Sequence, residues 1–199
     1  MTPYLFIVAA WLVFGVLHSL MASKRVKEWV RLKMVSFYHY YRLLYNLLAL
    51  LTFGLVLGAH RSAPAEYLWV PYGWMSYLGA TVILLGLVVI GMAVRQYDLS
   101  EFTGLDVFRK SHASSASSLI RSGILRYVRH PLYSGTILIS IGLFLFTPTI
   151  SNSLLALFTM LYIRIGIYFE EKKLIDTYGE TYQHYQRQVP MLWPLPRRS

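Results

Sequence analysis

The chain contains no cysteine, which excludes disulfides, thiolate metal sites and a cysteine nucleophile of its own. Charge is scarce too: charged residues make up 14% of the sequence, against roughly 25% in a soluble domain. Acid is the scarcer sign, with 9 Asp and Glu against 19 Lys and Arg and a formal net charge of +10. No recognition motif accompanies that charge, so nucleic acid is not the expected partner. Basic residues flanking apolar runs are the ordinary outcome of the positive-inside rule. No linker rich in Pro, Gly or Ser, no internal repeat and no heptad pattern divides the chain, so a single domain over 1–199 is expected. What it has in quantity is apolar residues, 56% of the total. These observations predict an all-α, polytopic membrane helix bundle in contact with membrane lipids.

In chain order, residues 1–95 read as three spans, 96–130 as a cytoplasmic loop, and 131–199 as a helical hairpin plus tail. The first run, TPYLFIVAAWLVFGVLHSLMA, has no basic residue ahead of it, which favours a retained span with the N-terminus outside over a signal peptide. The basic segment around Lys24, Arg25, Lys27, Arg31 and Lys33, with Trp29 and Val30 among the charges, predicts a short interfacial helix. The second span, LLYNLLALLTFGLVLGA, follows an aromatic belt from Phe37 to Tyr41, with Arg42 and Asn46 sharing a helix face. The third ends at Arg95, with Gly79, Gly86 and Gly91 available for close helix approach. The long polar stretch from Arg95 to Arg129 starts with Gln96, Tyr97, Asp98, Glu101 and Gly104 and then runs through SHASSASS, a candidate lid. The tail places Tyr178, Tyr182 and Tyr185 at helical spacing around Gly179, so it is expected to pack back on the cytoplasmic face, where the C-terminus lies.

Two stretches carry the chemistry: YVRHPLYSG, from Tyr127 to Gly135, and FEEKKL, from Phe169 to Leu174. Each sits at the edge of an apolar run. A hairpin of two short spans, about 132–148 and 153–169, turning at Pro148 and Asn152, returns Glu170 and Glu171 to the face that holds Arg129 and His130. Successive helix positions differ by about 100°, so one glutamate is expected to face a pocket while the other pairs with a basic residue. Arg164, inside the fifth span, is expected to find a carboxylate or a cofactor or to snorkel inward.

RHPLYSG followed by EEKKLIDTYGETYQHYQRQVPMLWP resembles the C-terminal signature of membrane S-adenosylmethionine-dependent methyltransferases. That group includes isoprenylcysteine carboxyl methyltransferases, phospholipid N-methyltransferases and methanethiol S-methyltransferases. The segments YDLSEFTGLDVF and VPMLWP are most similar to the thiol-methylating branch. The resemblance implies S-adenosylmethionine held at the cytoplasmic ends of the last two spans, with Tyr127, Arg129, His130, Pro131, Tyr133, Gly135, Glu170 and Glu171 at the matching positions. It also implies a small-molecule or lipid-like acceptor: a thiol first, with a prenylcysteine carboxylate or lipid amine as alternatives.

A sulfonium is already an activated methyl donor, so positioning and desolvation carry most of the expected acceleration. A thiol or amine acceptor must still lose a proton. Asp98, Glu101, His18, His39 and His112 are candidate bases, and Asp98 with His130 are the residues assigned to catalysis. Two other readings remain at this point: a nicotinamide-dependent membrane reductase, whose HPNY pattern differs from HPLY here, and a non-catalytic subunit of the same fold.

Overall fold

The computed structural model describes residues 2–108 and 119–194, apart from the side chains of Thr2, Glu101, Phe102 and Asp106. His112 and the serine-rich run SHASSASS lie outside the described residues. The described chain is helical: α1 Thr2–Ala22, α2 Lys24–Lys33, α3 Val35–Tyr38, α4 Tyr41–Ser62, α5 Gly73–Val94, α6 Leu99–Thr103, α7 Pro131–Phe146, α8 Ile150–Tyr178 and α9 Glu180–Gln188. Two 3-10 turns, Leu105–Phe108 and Gly123–Arg126, interrupt the long polar stretch. Four of the helices, at Pro3–Ala22, Tyr41–Ser62, Gly73–Val94 and Ile150–Tyr178, are long and apolar enough to cross a membrane. The fifth apolar helix, α7, has 16 residues, which at 1.5 Å per residue spans less than the roughly 30 Å of a bilayer core.

The chain forms two compact units: Met1–Ala65 with Tyr97–Ser114, and Glu66–Gln96 with Ser115–Ser199. In the first, α1 packs on α4 through aromatic contacts, with Phe53 set 6.1 Å from Trp11 and 5.4 Å from Phe14 between ring centroids. One turn further on, His18 hydrogen-bonds the Tyr45 hydroxyl, and Tyr41 donates to the Met21 carbonyl at 2.5 Å. The side chain of Ser23 accepts from Val26 N and starts α2, so the basic segment is helical as expected.

In the second unit, α5 and α7 meet backbone to backbone. A Cβ on Gly86 would stand 2.7 Å from the Gly135 carbonyl oxygen, and one on Gly135 would stand 2.7 Å from that of Gly86. Gly79 and Gly142 repeat the arrangement two turns away. Small residues on both helices thus allow a contact in which apolar side chains would hold the axes apart. Gly91 corrects the sequence expectation: nothing lies within 4 Å of where its Cβ would be, so it takes no part in the contact.

The hairpin turn between α7 and α8 is built by Thr149, whose hydroxyl accepts from Asn152 N, and by Asn152 Nδ2, which donates to the Leu143 and Thr147 carbonyls at 3.3 and 2.7 Å. The segment before α5 pins it from outside, through Leu68 N to Pro148 O at 2.8 Å and Ile150 N to Glu66 O at 3.0 Å. Helix α8 continues past Phe169, where the apolar run stops, and ends at Gly179, whose φ of 55° suits a residue without a Cβ. Then α9 folds back, burying Tyr182 and Tyr185 against Leu174, Ile175 and Tyr178.

Candidate active site

Pro131 opens α7 at the position where a missing N–H costs nothing, and its ring is fully buried. The residues just before it, Arg129 and His130, are 8% and 5% exposed, so they are internal groups that need partners. Glu171 of α8 supplies them. Its Oε1 accepts from Arg129 Nε at 2.8 Å and Nη2 at 2.6 Å, and lies 3.1 Å from His130 Nε2. A carboxylate only accepts, so that histidine nitrogen carries the hydrogen. The second oxygen of Glu171 accepts from Gln186 Nε2 of α9 at 3.0 Å.

Arg129 also holds the tail. Its Nη1 donates to the carbonyls of Gln186 at 3.0 Å and Val189 at 2.6 Å. Arg129 N donates to Pro190 O, His130 N to Met191 O, and Ser134 Oγ to Leu192 O at 2.6 Å. The segment Val189–Leu192 is therefore a strap across the start of α7, and Met191 and Leu192 pack on the core of Ile137, Ile163 and Ile167.

The neighbouring glutamate is placed differently. Glu170 keeps a side chain 42% exposed, its Oε2 accepts from the Tyr133 hydroxyl at 2.8 Å, and His130 Nδ1 stands 3.9 Å away. The ring of Tyr133 stacks on His130 at 5.6 Å and 27°. Within the cluster of Arg129, His130, Glu170 and Glu171, one guanidinium faces two carboxylates.

Tyr182 stands beside this cluster. It is 1% exposed, and its hydroxyl has no hydrogen-bond partner among the described residues. Burial pushes its phenol up from the ordinary range, with the Glu171 carboxylate adding to the shift, so it is an O–H donor at any physiological pH. A buried hydroxyl without a partner costs about 1–3 kcal/mol. Its neighbour Tyr185 is satisfied, donating to the Leu125 carbonyl at 2.6 Å.

The remaining sequence candidates lie elsewhere. Gly135 faces α5 in the helix contact described above. Tyr127 is 65% exposed and lines a cleft with Arg95 and Arg126. In the other unit, Asp98 accepts at Oδ1 from Ser100 N at 2.9 Å and Ser100 Oγ at 2.6 Å, opening α6, and His39 Nε2 stands 3.3 Å from Val107 O. Arg164 is exposed on α8 and has no ion-pair partner among the described residues, since Glu171 is spent on Arg129. Sequence reasoning passed over Gln186 and Tyr182 as site residues. The only available signal was their place on the inner face of α9, which reads equally as packing.

The phospholipid methyltransferase family model matches residues 74–181, more than half of the chain. Methanethiol S-methyltransferase from Crocosphaera subtropica is 30% identical over 197 residues, covering 92% of this chain and 71% of that protein. Methanethiol S-methyltransferase 2 from Bradyrhizobium diazoefficiens is 34% identical, covering 92% and 70%. The protein-S-isoprenylcysteine O-methyltransferase of Tribolium castaneum is 30% identical over 118 residues, 58% of this chain and 40% of that protein. No solved structure matches the chain. The chain belongs to the phospholipid methyltransferase family of membrane methyltransferases. It is an integral membrane enzyme that takes a methyl donor, and the reductase reading finds no support among these relatives.

Proposed function

We propose that this enzyme moves the methyl group of S-adenosylmethionine to a small thiol, at a site built on Glu170, Tyr133 and His130. The observation that carries the site is the division of labour between adjacent glutamates: Glu171 is saturated by four donated hydrogen bonds, while Glu170 keeps an exposed carboxylate held by one tyrosine. The thiol follows from the similarity to methanethiol S-methyltransferases over most of the chain.

The residues present fit the proposed donor. Its ammonium and ribose hydroxyls are donors for the Glu170 carboxylate, and the excess of carboxylate over guanidinium in the cluster suits a sulfonium cation. The orphaned Tyr182 hydroxyl adds a donor for one of its oxygens or ring nitrogens. Arg129, whose Nε and both terminal nitrogens already bond Glu171 and the strap, acts by holding that strap. S-adenosylmethionine supplies an activated methyl group for in-line displacement. The chain's residues orient the donor: Tyr133 fixes the Glu170 carboxylate, and His130 braces Tyr133 from its ring face. Asp98 is the proposed proton acceptor for the thiol, in a site proposed to face the cytoplasm, with the N-terminus on the outside.

The test is methyl transfer from labelled S-adenosylmethionine by the purified protein to short alkyl thiols, a prenylcysteine and phosphatidylethanolamine, run in parallel. Preferred labelling of the alkyl thiol supports the reading. Preferred labelling of either other acceptor reassigns the substrate, and labelling of none removes the proposal.

A further inference from the structure

Within the second unit, the end of α5 and the 3-10 turn Gly123–Arg126 form a cleft of about 340 Å³ whose lining includes none of His130, Tyr133, Glu170 and Glu171. Its walls divide by chemistry. Met92 and Ile124 are the apolar part, and Arg95, Arg126, Gln96 and Tyr127 the polar part. No acidic residue lines it, and neither arginine has an ion-pair partner among the described residues. The cleft is also preformed: Ser122 donates to Gln96 Oε1 at 3.2 Å, tying the turn to the end of α5.

The position of the two cations narrows the ligand. Arg95 is the first residue beyond α5, a helix apolar and long enough to cross a membrane, so it stands where hydrocarbon gives way to water. Leu85, Val88 and Met92, 51%, 50% and 47% exposed, form one row along α5 that runs into the cleft. Arg95 alone would be accounted for by the negative end of the helix dipole or by snorkelling. Arg126 comes from a different element and adds a second guanidinium to the same cleft. An apolar row ending in two guanidiniums matches an acyl chain that ends in a phosphodiester. A water-soluble anion would have no use for the row.

We propose that this cleft binds an anionic phospholipid, its phosphate between Arg95 and Arg126 and an acyl chain along Leu85, Val88 and Met92, as a bound lipid that is not the methyl acceptor. Tyr127, in the same wall, is two residues from Arg129, so the lipid would brace the turn that leads into the active site.

The test uses the full-length protein in nanodiscs and measures capture of photo-crosslinkable phosphatidylglycerol against the matching phosphatidylcholine, for wild type, Arg95→Gln/Arg126→Gln and Arg95→Lys/Arg126→Lys. Wild type is expected to prefer phosphatidylglycerol, the glutamine pair to lose about fivefold of that preference per arginine, and the lysine pair to keep most of it. Equal capture of the two lipids by wild type overturns the proposal, as does a preference unchanged in a folded glutamine pair. Complete competition by inorganic phosphate would make the site a simple anion site. Displacement by S-adenosylhomocysteine would assign the cleft to the methyl donor. Either result also overturns it.

Discussion

Arg129 and Glu171 form a buried ion pair with Nη2 to Oε1 at 2.6 Å and Nε to Oε1 at 2.8 Å, their side chains 5% and 14% exposed. The same guanidinium holds the tail through the Gln186 and Val189 carbonyls, so one residue joins the start of α7, the last third of α8 and the strap. Breaking a buried pair by removing one partner costs about 3–5 kcal/mol, because the other charge is left uncompensated. Arg129→Met is therefore expected to lower the thermal midpoint strongly, and Arg129→Met/Glu171→Met to recover part of the loss. If the single variant melted like wild type, Arg129 could not be the anchor of the strap.

Tyr182→Phe separates two meanings of an unpartnered hydroxyl. Removing it deletes a desolvation cost of about 1–3 kcal/mol in the resting protein, so the ligand-free thermal midpoint is expected to hold or rise while donor affinity falls several-fold. A lower midpoint without ligand would show that the hydroxyl has a partner in the resting protein.

The α5–α7 contact offers a paired control. Gly86→Ala places a methyl 2.7 Å from a backbone oxygen, whereas Gly91→Ala meets nothing within 4 Å. The first is expected to destabilise the detergent-solubilised protein by about 1–3 kcal/mol through overpacking, and the second to leave it unchanged or slightly more stable. Equal midpoints would mean the helices can part without cost.

Asp98→Asn keeps a side chain that caps a helix well but removes the charge. Turnover is expected to fall at least tenfold with donor affinity retained, in line with a general-base contribution. Full turnover in this variant would reduce Asp98 to the cap it forms with Ser100.

Much of this was legible in the sequence, for identifiable reasons. Arg129, His130, Glu170 and Glu171 stood out because charge beside an apolar run is costly and must be paired, and a hairpin leaves few partners within reach. The turn at Asn152 was readable from a polar residue between two apolar runs, and the basic segment after α1 read as the helix it forms. The strap was not readable, because Arg129 and His130 bind it through the carbonyls of Gln186, Val189, Pro190 and Met191, and every residue carries a carbonyl. Apolar composition also ended the fifth span at Phe169, although Lys172, Lys173, Leu174 and Ile175 sustain the helix as far as Tyr178, where Gly179 stops it. Gly91 shared the glycine pattern of α5 but not its packing face.

The most direct test is calorimetric titration of the purified protein with S-adenosylhomocysteine, for wild type and Glu170→Gln, with the thermal midpoint of each measured beside it. Wild type is expected to bind, and Glu170→Gln to bind roughly tenfold or more weakly with its midpoint preserved, because a charged acceptor is lost from an exposed position while the glutamine amide oxygen can still accept from the Tyr133 hydroxyl. Equal affinity in the two proteins would contradict the assignment of Glu170 to the donor, and no binding to wild type would contradict the donor itself.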